Sequence, residues 1–160
     1  MNISSRDGAP LTVIKSISGR ILLRLDESTT WLDDLDLSNA DMAGVVAEGL
    51  CCMGTKFVEA NLRDADLYWA MAQGANFERA NLQGAILCGA SLHDVNFKYA
   101  DLRNADLGRD NLGGGTQLQG ADLSGAQIAG AKFDGAAYDD RTIFPTGFDP
   151  VAYGMRKVIE

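Results

Sequence analysis

A five-residue unit recurs along most of the chain and limits the folds that the chain can adopt. The unit is Ala, then Asp or Asn, then Leu, then two variable residues; it occurs twice in succession at residues 60–69 and returns at 80–84, 100–104 and 121–125. On an α-helix, a step of five residues turns the chain by about 500°, so successive leucines form no stripe. On a straight strand, an odd step places them on opposite faces. The backbone must therefore turn once in every unit.

Each unit divides into an inward pair and a corner. Ala and Leu are two residues apart, so both lie on the same side of a short extended segment. The last two positions are rich in glycine, as at Gly84 and Gly125, and glycine accepts the positive φ that a tight corner requires. The sequence therefore predicts a coil of short straight edges whose apolar residues point inward.

Three phenylalanines indicate how many edges complete one turn. Phe57, Phe77 and Phe97 are spaced by twenty residues, which is four units, and should form a ladder in the core. Folding residues 35–135 at this period predicts four inward columns: Leu37, Phe57, Phe77, Phe97 and Leu118; Met42, Leu62, Leu82, Leu102 and Leu123; Ala47, Leu67, Leu87, Leu107 and Ile128; and Cys52, Ala72, Leu92, Leu112 and Phe133. We predict an all-β solenoid of about five coils, roughly 24 Å long at ordinary strand spacing.

The ungapped units resemble those of the pentapeptide-repeat proteins, whose motif is A(D/N)LXX. The resemblance covers residues 35–135 and implies a right-handed quadrilateral β-helix, a fold especially numerous in cyanobacteria. The tail at residues 142–155 also resembles the C-terminal cap of cyanobacterial members. The handedness is implied by the resemblance alone, because the period predicts only a coil.

The N-terminal residues 1–34 do not follow the repeat. Two strand-like segments, 11–17 and 21–25, flank Ser18-Gly19 and predict a β-hairpin. A solenoid exposes its first apolar layer and its strand edges, so this hairpin is expected to cap the coil.

Residues 136–160 also leave the repeat and are expected to cap the other end. Asp149-Pro150 is a favourable helix start, which predicts a short helix over about residues 150–157. The two caps and the coil together form a single domain, as the chain length of 160 residues suggests.

The spacing of the repeat slips once. Leu112 and Leu118 are six residues apart rather than five, with the extra residue placed in Gly113-Gly114-Gly115-Thr116. Asp110 falls at an inward position that is normally Ala, and an unpaired carboxylate there would be costly. We therefore predict that this unit bulges outward; a tolerated insertion at a corner and a functional notch are both compatible with the slip.

Composition and charge exclude several classes of function. The chain carries 22 acidic and 14 basic residues, for a net charge of −8, which argues against nucleic-acid and anionic-membrane partners. The first eight residues lack a signal-like apolar stretch, and no apolar run reaches membrane-spanning length. Three cysteines, Cys51, Cys52 and Cys88, lack metal-site spacing and are expected to be free thiols in a reducing cytoplasm.

Nothing in the sequence points to catalysis. An enzyme needs a concave pocket with convergent polar groups, whereas a filled four-column core leaves none. The single histidine, His93, follows an inward leucine and is expected on an outer wall, and Gly113-Gly114-Gly115 precedes neither a helix nor a lysine. We expect no enzyme activity, no cofactor and no metal.

Apolar residues outside the predicted columns are candidates for a partner surface. They gather on two adjacent walls of the first three coils and comprise Val46, Met53, Tyr68, Trp69, Met71 and Ile86, with Cys51 and Cys88. Contiguous apolar patches mark interfaces, and aromatic and Met residues are enriched there. Two interpretations remain open: a binding site for a protein partner or a second copy of the chain, or a surface that the N-terminal hairpin covers.

Acidic residues form the alternative candidate surface. A column of Asp and Asn, diluted by Arg63 and Arg103, is predicted at Asp41, Asn61, Asn81, Asp101 and Asp122. These residues also favour corners because they hydrogen-bond the backbone. Some pentapeptide-repeat proteins mimic duplex DNA and bind type II topoisomerases, so the resemblance implies this alternative function. The repeat region holds 13 acidic against 7 basic residues and makes a short rod, which weakens the alternative.

The assigned faces predict a contrast in stability between two positions. Phe77→Ala should lower the free energy of unfolding by about 3–5 kcal/mol, because it leaves a cavity in the core. Gln83→Ala, on the outer face, should change it by no more than about 0.5 kcal/mol. Urea denaturation measures both values, and similar losses at the two positions would contradict the predicted columns.

Overall fold

A computed structural model describes residues 12–25 and 31–159 of the chain. The described residues contain five short strands and no helix: β1 (Thr12–Ser16), β2 (Ile21–Leu25), β3 (Ala40–Asp41), β4 (Ala137–Tyr138) and β5 (Arg156–Lys157). Most of the remaining chain alternates single bridge residues with turns, as expected for a backbone that bends in every unit.

Parallel bridges between residues mostly twenty apart hold successive coils together. Asn61 N donates to Ala40 O at 2.8 Å and Leu62 N donates to Asn81 O at 2.7 Å, so one unit bonds to the coils on both sides. The bridge residues form four ladders in chain order: first, Trp31, Cys51, Met71, Ser91, Gln117 and Ala137; second, Asp36, Lys56, Asn76, Asn96, Asp122 and Ile143; third, Asp41, Asn61, Asn81, Asp101 and Gln127; fourth, Val46, Asp66, Ile86, Asp106 and Lys132.

At the corners, Asp and Asn side chains accept hydrogen bonds from the backbone N–H group two residues later in the chain. Asn76 Oδ1 accepts from Glu78 N at 2.9 Å, and Asp101 Oδ1 accepts from Arg103 N at 3.1 Å. The predicted role of these residues at corners is confirmed. A residue with positive φ then ends the corner, such as Gly84 at 70°.

The predicted phenylalanine ladder is confirmed. Phe57 and Phe77 stack with ring centroids 4.8 Å apart, and Phe77 and Phe97 stack at 5.3 Å. Alanines and leucines of the repeat surround these rings, and nearly all of them are buried. Small inward alanines allow the opposite sides of the coil to approach, so the core is filled by side chains.

The predicted columns are wrong after residue 107, because the inserted segment is six residues long rather than one. Ser91 pairs with Gln117 and Asn96 with Asp122, which are 26 residues apart. Leu112 leaves the core and is 80% exposed. The inward apolar residue of each later unit therefore shifts by one column. The columns of Leu92, Phe97, Leu102 and Leu107 continue, in that order, with Leu118, Leu123, Ile128 and Phe133.

The predicted N-terminal hairpin forms within the described residues. β1 pairs antiparallel with β2 from Thr12↔Leu25 to Lys15↔Ile21, and β1 also pairs antiparallel with β3. Ile14 is buried in the core. The parts of the predicted N-terminal segment at residues 1–11 and 26–30 lie outside the described residues.

The helix predicted over residues 150–157 is wrong. Turns occupy residues 150–154, and the chain then enters β5, which pairs parallel with β4. Gly154 has a φ of 72°, which ends the turn and directs Met155 into the core. Aromatic rings pack beside this turn: Phe133, Tyr138, Phe144, Phe148 and Tyr153.

Asp139 fastens the C-terminal segment to the coil. Its buried carboxylate accepts hydrogen bonds from Gly120 N and the Thr142 hydroxyl, each at 2.9 Å, and pairs with the Arg141 guanidinium at 2.9 Å. Burial raises the pKa of the Asp139 carboxyl, but the hydrogen bonds from Gly120, Thr142 and Arg141 outweigh burial. The pKa of Asp139 therefore lies below its usual value.

Asp139→Asn should make the fold less sensitive to acid. A carboxyl group whose pKa is lower in the folded chain stabilises the fold above its unfolded pKa of about 3.9, and this stability is lost as pH falls through the folded value. The free energy of unfolding should fall more steeply for the wild type than for the variant between about pH 4 and pH 2. Urea titrations across this range provide the measurement.

Asp134→Asn is the matched control for this acid titration, because the Asp134 carboxylate is exposed. Its acid dependence should follow that of the wild type. If the acid dependence of Asp139→Asn equals that of the wild type, the Asp139 carboxylate does not stabilise the attachment of the C-terminal segment.

Candidate interaction surface

Four of the six predicted surface residues are exposed on one side of the coil. Val46 and Ile86 lie on the fourth ladder, Met71 lies on the first, and Met53 follows the first ladder at a corner. Val46 is 77% exposed and the other three are between 40% and 44% exposed. The first and fourth ladders are adjacent, because the chain passes directly from Val46 to Cys51.

Tyr68 and Trp69 do not belong to this exposed surface, contrary to the prediction. A loop at residues 109–115, here called the clasp loop, folds back over them. The Trp69 indole Nε1 donates to Asp110 Oδ2 at 2.8 Å, and Asn111 N donates to the Tyr68 hydroxyl oxygen at 2.6 Å. Both aromatic side chains are half-buried. The repeat could not have indicated this contact, because Asp110 and Asn111 lie in a segment that departs from the repeat.

The carboxylate of Asp110 organises the clasp loop. Its Oδ1 accepts from Leu112 N at 2.9 Å and from Gly114 N at 2.7 Å, while Asp110 N donates to Gly114 O at 2.7 Å. The hydrogen bond from Trp69, together with those from the loop backbone, holds the pKa of Asp110 below its usual value. The outward bulge predicted for Asp110 is confirmed, and buried Thr116 begins the next unit instead.

The clasp loop reaches Trp69 by crossing the corner at Gly89. A Cβ atom on Gly89 would lie 2.5 Å from Trp69 Cδ1 and 2.9 Å from Asp110 Cβ. Gly89 also has a φ of 68°. Only glycine therefore fits beneath both the indole and the loop.

Trp31 extends the exposed apolar surface, although it was not among the predicted surface residues. Trp31 begins the first ladder, pairs with Cys51 and is 67% exposed. Counting back twenty residues from Cys51 would have found it. We call Trp31, Val46, Met53, Met71 and Ile86 the apolar strip.

The described hairpin does not cover the apolar strip. β1 pairs with Ala40–Asp41 on the third ladder, not with residues of the first or fourth ladder. All five side chains of the strip are exposed. The interpretation that the described hairpin buries this surface is therefore wrong.

The predicted acidic column is only partly correct. Asp41 and Asp101 lie on the third ladder, but Gln127 takes the next place and Asp122 lies on the second ladder. The six-residue insertion causes this shift. The acidic charge is also offset locally, since Asp101 pairs with Arg103 at 2.6 Å and Asp122 with Lys98 at 3.1 Å.

The cysteines are free thiols with little tendency to ionise. Burial raises the pKa of Cys52 to about 12 and that of Cys88 to about 11. Among residues 12–25 and 31–159, no group of His, Cys, Asp and Glu side chains is arranged to hold a metal ion. The same residues include no helix long and apolar enough to cross a membrane.

The repeats match the family model for pentapeptide repeats in eight copies, over residues 54–79, 73–109 and 114–136. The chain belongs to the pentapeptide-repeat family. The gap between residues 109 and 114 coincides with the tip of the clasp loop. As a member of this family, the chain folds as a right-handed β-helical solenoid.

Solved structures of other pentapeptide-repeat proteins are similar to this chain. Alr5209 from Nostoc PCC 7120 is 28% identical with a TM-score of 0.56, and the match covers 81% of this chain and 86% of alr5209. HetL from Nostoc sp. strain PCC 7120, involved in heterocyst differentiation regulation, is 32% identical with a TM-score of 0.47; the match covers 72% of this chain and 48% of HetL. QnrB1, a plasmid-mediated fluoroquinolone resistance protein, is 18% identical with a TM-score of 0.41, covering 80% of each chain. No curated protein sequence matches the chain.

Asp110→Ala should release the clasp loop and expose Trp69. The variant removes the acceptor for the indole and for two loop amides, so Trp69 emission should shift to longer wavelength and acrylamide should quench it more strongly. A Trp31→Phe background isolates the Trp69 signal. Steady-state fluorescence is the measurement.

Asp64→Ala is the control, because it removes an exposed carboxylate from another corner. Its Trp69 emission should match that of the parent. Unchanged quenching of Trp69 in Asp110→Ala would contradict the clasp.

Proposed function

We propose that this pentapeptide-repeat chain is a non-enzymatic interaction or scaffold module that binds a protein partner through the outer surface of its β-helix. In this proposal, a quadrilateral coil of about five turns forms a rigid frame between two end segments. Residues 1–34 cap one end, residues 136–160 cap the other, and residues 35–135 present the binding surface. The module acts in the cytoplasm, without a cofactor, and binds neither nucleic acid nor membrane directly.

The apolar strip is the observation that carries this proposal. Exposed Trp, Val, Met and Ile side chains gather on adjacent ladders, although a solvated outer face gains nothing from them. Contiguous apolar patches mark protein interfaces, and Met and Trp are enriched at interface centres. The clasp loop also exposes Leu112, and hydrogen bonds to the Asp110 carboxylate order the backbone of this loop.

The filled core supports a non-enzymatic role. The residues that point into the coil are mainly Phe, Leu and Ala, and nearly all are buried. A catalytic site needs converging polar groups around a cavity. This architecture is better suited to binding other molecules on its outer faces than to enclosing a substrate.

DNA mimicry with binding to a type II topoisomerase remains the alternative. Ion pairs weaken it, because Asp101, Asp106 and Asp122 each have a basic partner within 3.1 Å. A mimic of duplex DNA needs a continuous array of uncompensated charge. Gyrase supercoiling assays with and without the protein test the alternative; inhibition or protection of gyrase would favour it.

Combining Met71→Ser with Ile86→Ser should weaken partner capture. Interface side chains that matter commonly contribute more than about 1 kcal/mol each, so capture should fall at least about tenfold. The measurement is quantitative mass spectrometry of proteins retained from a lysate of the native host. Sedimentation of the purified chain tests whether the partner is a second copy.

Ile143→Ser is the matched control, because Ile143 is 50% exposed but lies on the second ladder. Thermal unfolding of every variant should show that the coil is intact. Equal capture by the double variant and the wild type would refute the apolar strip as the partner surface.

A further inference from the structure

The charges around the apolar strip differ from those of the later coils. Four carboxylates lie among its apolar side chains, and none forms an ion pair with a residue that the structure describes: Asp33, Asp34, Glu48 and Asp66. In the later coils the pattern is different, because five carboxylates there have basic partners: Asp94, Asp101, Asp106, Asp122 and Asp134.

Hydrogen bonds and ladder positions place two of these carboxylates directly beside the strip. Asp33 Oδ1 accepts from Met53 N at 2.7 Å and from the Cys51 thiol at 3.2 Å. Asp66 lies between Val46 and Ile86 on the fourth ladder. The apolar and acidic groups therefore belong to one surface.

The carboxylates beside the strip disfavour the binding of a second copy of the chain. The chain has a net charge of −8, and a two-fold contact through the strip would bring its carboxylates close to their own copies. Like charges across an interface oppose association, whereas opposite charges steer it and select the partner. Among the described residues, the first and fourth ladders carry no Lys or Arg before Lys132.

We propose that the apolar strip and its four carboxylates bind a cationic amphipathic segment of another protein. Apolar side chains of that segment cover Met71, Ile86 and their neighbours, and its Lys or Arg side chains pair with Asp33, Asp34, Glu48 and Asp66. This inference rests on the proposed interaction function and names the chemistry of the partner.

Synthetic amphipathic peptides test the proposal with the full chain. The probe is a fluorescent Leu/Lys helical peptide, compared with a Leu/Glu peptide of the same pattern and with a Ser/Lys peptide of the same charge. Fluorescence anisotropy should give a Kd at least about tenfold lower for Leu/Lys than for either of the others. Raising the salt from about 0.05 M to 0.5 M should weaken Leu/Lys binding severalfold.

Substitutions then locate the binding site. Glu48→Gln with Asp66→Asn should raise the Kd of the Leu/Lys peptide about fivefold. Asp36→Asn with Glu59→Gln removes the same charge from the second ladder and the corner beyond it, and should leave the Kd unchanged. Met71→Ser should also raise the Kd.

Several results would overturn this inference. They are no Leu/Lys binding, equal binding of the Leu/Glu or Ser/Lys peptide, and equal effects of the two charge-neutralising pairs. If the charge variants retain the native partner while Met71→Ser with Ile86→Ser loses it, the interaction function stands but its partner is not cationic. If none of these variants affects capture, the interaction function itself fails.

Discussion

Backbone hydrogen bonding between successive coils is the constraint on which the structure depends. Each unit is too short to form a strand of its own, so its amides must find partners one turn away, as Asn61 does with Ala40. That pairing requires the chain to close a turn at a fixed interval, and the corner residues make the closure possible. Asx-type hydrogen bonds and residues with positive φ bend the chain, while Leu and Phe stack beneath it. Because this arrangement of corners and inward residues repeats in every coil, the outward-facing residues are free to vary.

The repeating part of the fold was predictable because each of its requirements has a period. Phe57, Phe77 and Phe97 report the turn length directly, and their stacking agrees with it. The insertion was not predictable in length, because Leu112 preserves an apolar residue at the expected spacing even though it leaves the core. The error then passed to every later column. The expected C-terminal helix failed for a local reason, since Gly154 ends the turn before a helix can extend.

The candidate site was predictable in part for the same reason. Folding the sequence at its period placed Val46, Met53, Met71 and Ile86 outside, where they are exposed. The period could not reveal that Tyr68 and Trp69 bond to the clasp loop, because an irregular segment makes that contact. The period could not predict the ion pairs either, because they depend on which long side chains reach a carboxylate in a neighbouring coil. The surface that results combines apolar side chains with acidic groups that lack basic neighbours among the described residues.

The clasp loop also alters how the solenoid should come apart. In a repeat structure each coil touches only its neighbours, so unravelling can begin at an end and proceed one layer at a time. The Asp110–Trp69 hydrogen bond skips the layer of Gly89 and joins the layers on either side of it. Those three layers are therefore tied into one cooperative block, and fraying from the C-terminal end should pause there.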